Sequence, residues 1–319
     1  MAKVLISSSH FNTFCKDARA LLESNGHEVI FDPNRSFPSY STEELKKILP
    51  GISAALIGLD VYNNEVFEHA PDLKAVAKFG VGVDNIDIES ASRHGVKVIN
   101  APGMNSNAVA ELTVCYMLGL LRCVVPLHQS MLQSNWVRYM GSELLGKTVG
   151  LLGFGAIAKS VAKKLAAFDV RVIAYDLFPN YEAAERLGVT MVSMDEIIEQ
   201  SDIISLHIPP SKETYHLFNK DTFVRMKKGS YLINAARGHL VDLEDLSEAL
   251  QSGHLAGAAL DAFEIEPLPK DSPIFQCKNI ILSPHTGAET AESYNRVSLS
   301  ACADICAVLA GKEAVHCLN

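Results

Sequence analysis

No apolar run in this 319-residue sequence approaches the ~20 residues a helix needs to cross a bilayer, so a membrane-spanning class is not expected. The opening residues MAKVLISSSH lack the basic flank and apolar stretch of a signal peptide and run straight into a strand pattern, which reads as a cytoplasmic chain. Paired cysteines are also missing. The seven that occur, at 15, 115, 123, 277, 302, 306 and 317, are odd in number and scattered, which excludes a disulfide framework. Cys302 and Cys306 share a helix face, but no histidine or further cysteine stands at ligand spacing, so no metal is expected. There is no excess of positive charge: 28 Lys and Arg against 37 Asp and Glu leave a net charge of −9, which argues against nucleic acid as a partner. An anionic substrate would need a local cationic site. Low-complexity segments, tandem repeats and Pro/Ser-rich linkers are absent too, so domain boundaries have to be read from motifs.

What is present is alternation. The length suits two domains, and 48% hydrophobic with 20% charged residues describes a globular protein. KVLISS, HEVIFD, AALIG, LKAVAKFG and VKVIN are strand-like with helical or turn segments between them. A second series, TVGLLG, RVIAYD, TMV, DIISLHI, SYLINAA, LAGAALD and NIILSP, begins at Thr148. Such alternation predicts α/β architecture in two doubly wound parallel sheets, the second of them dinucleotide-binding, with a cleft between them. The stretch after Asn100 predicts one long helix from about Asn107, and the helical tail after His285 is expected to return to the first domain. The expected division is therefore 1–100 with 286–319, and 101–285.

The segment TVGLLGFGAIAKSVAKKL sharpens the second domain. It reads as a buried strand, a glycine turn and a helix, the order in which a chain presents free backbone N–H groups to a phosphate. Gly153, Gly155 and Ala158 meet the G-x-G-x-x-G/A pattern. The next strand ends in Asp176, 21 residues after Gly155, where a dinucleotide fold places the carboxylate that accepts from the adenosine ribose. Leu177, Phe178 and Pro179 follow, none of them an arginine for a 2′-phosphate, so the sequence favours NAD over NADP.

Three later segments, NAARGHLVD, LDAFEIEPLP and LSPHTGAET, each place an ionisable residue just after a strand, where open parallel sheets bind ligands. Arg237 offers a planar fork for a carboxylate. His285 is held in a turn between Pro284 and a Thr-Gly pair, and either Glu264 or Glu266 could orient it and favour its protonated form. Singly, such residues are often surface or turn residues; together, behind a dinucleotide motif, they point to acid–base chemistry beside a cofactor.

The ordered set GFGAIA, Asp176, NAARG, LDAFEIEP and SPHTGA, preceded by KFGVGVDNID and NAVAELT, resembles the D-isomer-specific 2-hydroxyacid dehydrogenases over nearly the whole chain, with the phosphoglycerate-dehydrogenase-like branch nearest. The resemblance implies transfer of hydride between NAD and C2 of a small 2-hydroxy or 2-oxo acid, 3-phosphoglycerate among the candidates, a flavodoxin-like substrate domain closed by the C-terminal helix beside the Rossmann domain, and a homodimer joined through the nucleotide domain. It implies catalytic roles for Arg237, Glu266 and His285, which selects Glu266 over Glu264. Cofactor contacts are implied at Gly153, Gly155, Ala156, Ile157, Asp176, His207, Ile208, Pro209, Ala235, Ala236, Asp261 and Gly287. Substrate contacts are implied at Lys78, Phe79, Gly80, Val81 and Gly82. One departure concerns the phosphate. Where relatives of that branch carry arginines, this sequence has Gly58-Leu59-Asp60, without a cation, and Lys78, a point charge without a bidentate fork, so the expectation is an enzyme that accepts 3-phosphoglycerate without depending on it, with Lys78 favouring substrates that carry a second anionic group. Corepressor-like scaffolds that bind NAD resemble the same family, so an NAD-binding scaffold with little turnover is the alternative.

Overall fold

A computed structural model describes residues 1–8, 10–32 and 39–319, which form two compact units: Met1–Asn105 with Ala288–Asn319, and Ser106–Gly287. These limits lie a few residues beyond the expected 100 and 285 for local reasons. The helix that opens the second unit starts at Ser106, and the Gly287 N–H is bonded to Asp261 of that same unit at 2.7 Å.

The first unit is built on β1 (Lys3–Ile6), β2 (Glu28–Ile30), β3 (Ala54–Ile57), β4 (Ala75–Lys78) and β5 (Lys97–Ile99), all parallel in the order β2-β1-β3-β4-β5. This is the flavodoxin-like order, whose direction reverses between β1 and β3. Successive residues face opposite sides. Leu5, Ala55, Ile57 and Val76 pack into one apolar layer, and Val4, Ile6, Leu56 and Ala77 into the other, so each strand reads as a continuous apolar run. The tail forms the helix Ala291–Leu309, whose Tyr294, Ala301, Cys302 and Ile305 close the second of those layers. Cys302 is buried as a free thiol and Cys306 half-buried; burial pushes both thiols up.

The second unit contains β6 (Thr148–Leu152), β7 (Arg171–Tyr175), β8 (Thr190–Met191), β9 (Ile203–Leu206), β10 (Ser230–Asn234), β11 (Leu255–Leu260) and β12 (Ile280–Leu282). Their order is β12-β11-β10-β9-β6-β7-β8, again parallel throughout. This is the dinucleotide-binding order with one added strand, and its direction reverses at β6. Val149, Leu151, Ile203 and Ile233 pack on one face under the helices Ser106–Leu121 and Ala156–Leu165. Leu152, Ile173, Ile204 and Leu232 pack on the other. Truncating one such fully buried leucine or isoleucine to alanine costs about 2–5 kcal/mol.

One expected element is corrected. The single long helix of the sequence reading is two, Ser106–Leu121 and Val124–Leu132, bent by 66° about a left-handed Cys123. Pro126 explains the break: its ring excludes the carbonyl of residue 122 from a continuous helix, whereas it is tolerated in the first turn of a new one. No single helix among the described residues is long and apolar enough to cross a membrane.

Candidate active site

The glycine turn lies at the C-terminal end of β6. Gly153 has φ +95, and a Cβ there would stand 2.6 Å from the His207 carbonyl oxygen, so backbone conformation and close approach to the end of β9 both require glycine. Gly155 begins the helix Ala156–Leu165 with no side-chain cap, and the space its Cβ would fill is open. The first N–H groups of that helix, Ala156 and Ile157 among them, have no partner within the helix and border that space. Asp176, just past β7, accepts from the Phe154 N–H at 2.7 Å and the Phe178 N–H at 2.9 Å. Two lone-pair directions on a carboxylate fixed in this way remain for hydroxyl donors.

His207 and Ile208 follow β9, on the far side of the turn. The protein packed around His207 pushes its imidazole down to about 4, so the ring is neutral at ordinary pH; its Nε2 lies 3.0 Å from Ser205 Oγ.

Arg237 is carried by the turn after β10, and the amide of Asn234 brackets that turn. Its Oδ1 accepts from the Ala236 N–H at 3.1 Å and its Nδ2 donates to the Arg237 carbonyl at 2.8 Å. The sequence reading named Ala235 and Ala236 here but missed buried Asn234, whose signal was a lone amide at a strand end. Next comes Gly238. A Cβ on it would stand 1.9 Å from the Phe263 carbonyl carbon and 2.0 Å from the Glu264 nitrogen, so two backbones are in direct contact. The segment bearing Arg237 is thereby pressed against the segment bearing Glu266.

His285 has φ +55, a conformation that needs support in a residue with a β-carbon. Asp261 provides it. The Asp261 backbone carbonyl accepts from the His285 N–H at 2.7 Å, while its buried carboxylate accepts from the N–H groups of Thr286 at 2.8 Å and Gly287 at 2.7 Å. Ser283 Oγ donates to the same carboxylate and also meets Tyr116 Oη. Burial pushes the Tyr116 hydroxyl well up, so it stays a neutral hydrogen-bonding group. Named from sequence as a cofactor contact, Asp261 is seen here as the frame of the His285 turn. Tyr116 and Ser283 escaped the reading because nothing in the helix Ser106–Leu121 announces a partner so distant in sequence.

The structure brings Glu266, not Glu264, against His285. Nδ1 lies 3.0 Å and 2.9 Å from the two Glu266 oxygens, and Oε1 also accepts from the Phe263 N–H at 2.9 Å. Partial burial opposes the charge of Glu266, but the bonds from His285 and Phe263, with the Arg237 cation nearby, outweigh it and hold the carboxyl below its usual range. An ionised carboxylate only accepts, so Nδ1 carries a hydrogen and Nε2 is the nitrogen left to gain or lose a proton.

The loop named for substrate lies in the first unit. Phe79 packs edge-on against Tyr294 with ring centroids 4.8 Å apart, and Gly80 has φ +150. Val81 is exposed, its carbonyl accepting from Asn100 Nδ2 at 2.8 Å, and Gly82 is half-buried. Lys78 Nζ donates to the Gly58 carbonyl at 2.7 Å and to Asn85 Oδ1 at 2.8 Å. Its ammonium thus braces two loops.

Residues 114–287 match the family described as D-isomer specific 2-hydroxyacid dehydrogenase, NAD binding domain. The chain belongs to this family. A glyoxylate reductase of Thermofilum pendens is 37% identical over 292 residues, covering 89% of this chain and 86% of the relative. A D-3-phosphoglycerate dehydrogenase of Archaeoglobus fulgidus is 38% identical over 282 residues, 88% of this chain and 54% of the relative, so the chain spans about half its length. The solved NAD-dependent formate dehydrogenase from Staphylococcus aureus in complex with NAD has a TM-score of 0.80 at 33% identity, covering 96% of this chain and 94% of that one. The 2-hydroxyacid dehydrogenases are NAD-dependent oxidoreductases acting on the CH–OH group of 2-hydroxy acids, and NAD is the cofactor of this chain. The open cradle at Gly155, the uncapped helix N-terminus and the fixed Asp176 carboxylate fit that group.

Proposed function

We propose that the chain interconverts a small 2-oxo acid and its D-2-hydroxy acid, with Arg237, Glu266 and His285 as the catalytic residues. The observation that carries this is the His285 imidazole fixed through Nδ1 on an ionised Glu266. NAD, when bound, supplies the hydride acceptor or donor. His285 exchanges a proton at Nε2 with the C2 oxygen, Glu266 stabilises the imidazolium, and Arg237 binds the substrate carboxylate. Gly153 to Ile157 and Asp176 hold the dinucleotide, with the segments His207–Pro209, Ala235–Ala236, Asp261 and Gly287 lining it. The residues 78–82 serve substrate binding through the backbone N–H groups of the Gly80–Gly82 loop, those of Val81 and Gly82 foremost, because the Gly80 N–H donates to the Lys78 carbonyl at 2.9 Å.

The bracing of Lys78 bears on the choice of acid. An ammonium already given to Gly58 and Asn85 is poorly placed to recognise a second anion, and Gly58-Leu59-Asp60 supplies no other. The substrate class supported is therefore a short 2-oxo acid with an uncharged side chain, of the glyoxylate or hydroxypyruvate kind. The test is NADH oxidation with glyoxylate, hydroxypyruvate, pyruvate and 3-phosphohydroxypyruvate, repeated with NADPH. Hydroxypyruvate should exceed its phosphorylated form in kcat/KM by about tenfold. NADH should exceed NADPH by about 100-fold, because a 2′-phosphate would face the Asp176 carboxylate at a cost of a few kcal/mol. Absence of turnover with every acid defeats the enzymatic reading; a preference for the phosphorylated acid that vanishes in Lys78→Ala restores the anionic one.

We also infer a homodimer. The stretch 131–145 leaves Leu132, Trp136, Met140 and Leu145 between 63% and 97% exposed, an apolar concentration a solitary chain would present to water. Light scattering after gel filtration should give twice the chain mass, and Trp136→Glu with Met140→Glu should halve it. A wild-type monomer at micromolar concentration ends this proposal.

A further inference from the structure

A second histidine of the nucleotide-binding unit stands between two carboxylates. His216 Nδ1 lies 3.2 Å from Asp242 Oδ2, and Nε2 lies 3.0 Å from Glu264 Oε2. Tyr215 stacks on the ring at 4.0 Å and donates through its hydroxyl to Glu264 Oε1 at 2.9 Å. His216 has φ +45, and its N–H is tied to the His239 carbonyl at 2.8 Å. The charged and titratable groups around the ring are thus Asp242, Glu264, Tyr215 and His239, whose ring lies 6.1 Å from that of Tyr215. Side-chain exposures of 27% for His216, 29% for Asp242 and 35% for Glu264 leave the cluster partly shielded, so its charges are not simply dissipated by solvent.

The three partners come from three segments. His216 lies in the loop after β9, Asp242 ends the stretch that starts at Arg237, and Glu264 stands two positions before Glu266. Gly238 already presses the second segment against the third at Phe263. Carboxylates only accept hydrogen bonds, so Nε2 carries the hydrogen that meets Glu264, while Nδ1 stands within ion-pair distance of Asp242, whose Oδ1 accepts from the Glu244 and Asp245 N–H groups at the start of the next helix. Glu264 is held below the usual carboxylate range, first by the His216 bond and then, against some burial, by Tyr215, which keeps it an acceptor.

We infer that His216, bridging Asp242 and Glu264, is a positioning residue that clamps the Arg237 and Glu266 segments together. The inference rests on the catalytic reading of those two residues. Loss of the clamp leaves two carboxylates without the imidazole between them and frees the Glu264–Ile265 stretch, so Glu266 holds His285 less well. Dinucleotide contacts at Gly153 and Asp176 are untouched.

The test compares wild type, His216→Ala, His216→Gln and His216→Arg in reduction of the best 2-oxo acid, with a proton–nitrogen NMR spectrum of the wild-type imidazoles at about pH 7. His216→Ala should lower kcat about tenfold with KM for NADH within about twofold. His216→Gln, which satisfies one carboxylate at most, should fall between. His216→Arg, a two-sided donor, should recover most of kcat. In the spectrum Nε2 of His216 should carry the proton that meets Glu264. A His216→Ala enzyme with wild-type kcat, an equal loss in His216→Arg, or a His216 ring without a proton on Nε2 overturns the clamp. If wild type turns over no 2-oxo acid, the catalytic reading fails instead, and the spectrum still decides whether His216 donates to Glu264.

Discussion

His285→Ala should lower kcat by about 10³-fold while leaving KM for NADH little changed. Positioned general acid–base groups contribute roughly 10²–10⁴-fold, and the imidazole is the side chain suited to that role among the three residues proposed as catalytic. Reduction consumes a proton at the C2 oxygen, so its rate should fall as pH rises and imidazolium is depleted; oxidation should rise over the same range. Glu266 sharpens the expectation. A carboxyl held below its usual range stays ionised until the pH drops through that lowered value, so the profile from about pH 5 upward reports the imidazole and not its partner. Glu266→Gln removes the negative charge that favours imidazolium and should move the reduction limb to lower pH. Steady-state rates across pH for both directions check this, and a His285→Ala enzyme with undiminished kcat would show that another group moves the proton.

Gly238→Ala should be the most damaging single-methyl addition near the site. Its Cβ would stand 1.9 Å, 2.0 Å and 2.4 Å from backbone atoms of Phe263 and Glu264, and backbone atoms cannot turn aside as a flexible side chain can. The two segments must separate, and buried overpacking of this kind costs roughly 3 kcal/mol or more. Arg237 and Glu266 lie on those two segments, so the loss of kcat/KM should exceed what the fall in Tm explains. Gly155→Ala is the contrast, because the space there is open and only dinucleotide affinity should suffer. Thermal unfolding and NADH titration of the two variants separate the cases. Equal Tm values for Gly238→Ala and wild type would mean that the contact is slack.

Much of this protein is written locally. Strand alternation, the Gly153–Ala158 turn and Asp176 at the end of the following strand each depend on contiguous residues or on one βαβ unit, where period and turn chemistry leave few choices. From these the sequence alone determined two parallel α/β sheets and a dinucleotide turn. The tertiary structure decided what depends on how distant loops close. Glu264 and Glu266 are equivalent by spacing, and only the path of the chain through the Gly238–Phe263 contact turns Glu266 to His285, 19 positions away, and Glu264 to Tyr215, 49 positions away. Lys78 looked available to an anion until two loops folded onto its ammonium. Asp261 and Tyr116 acquire their meaning across 145 residues, when β11 is set beside the helix Ser106–Leu121. A side-chain pair of this kind has no periodicity to betray it, because its geometry is set by sheet register and loop closure and not by neighbours in sequence.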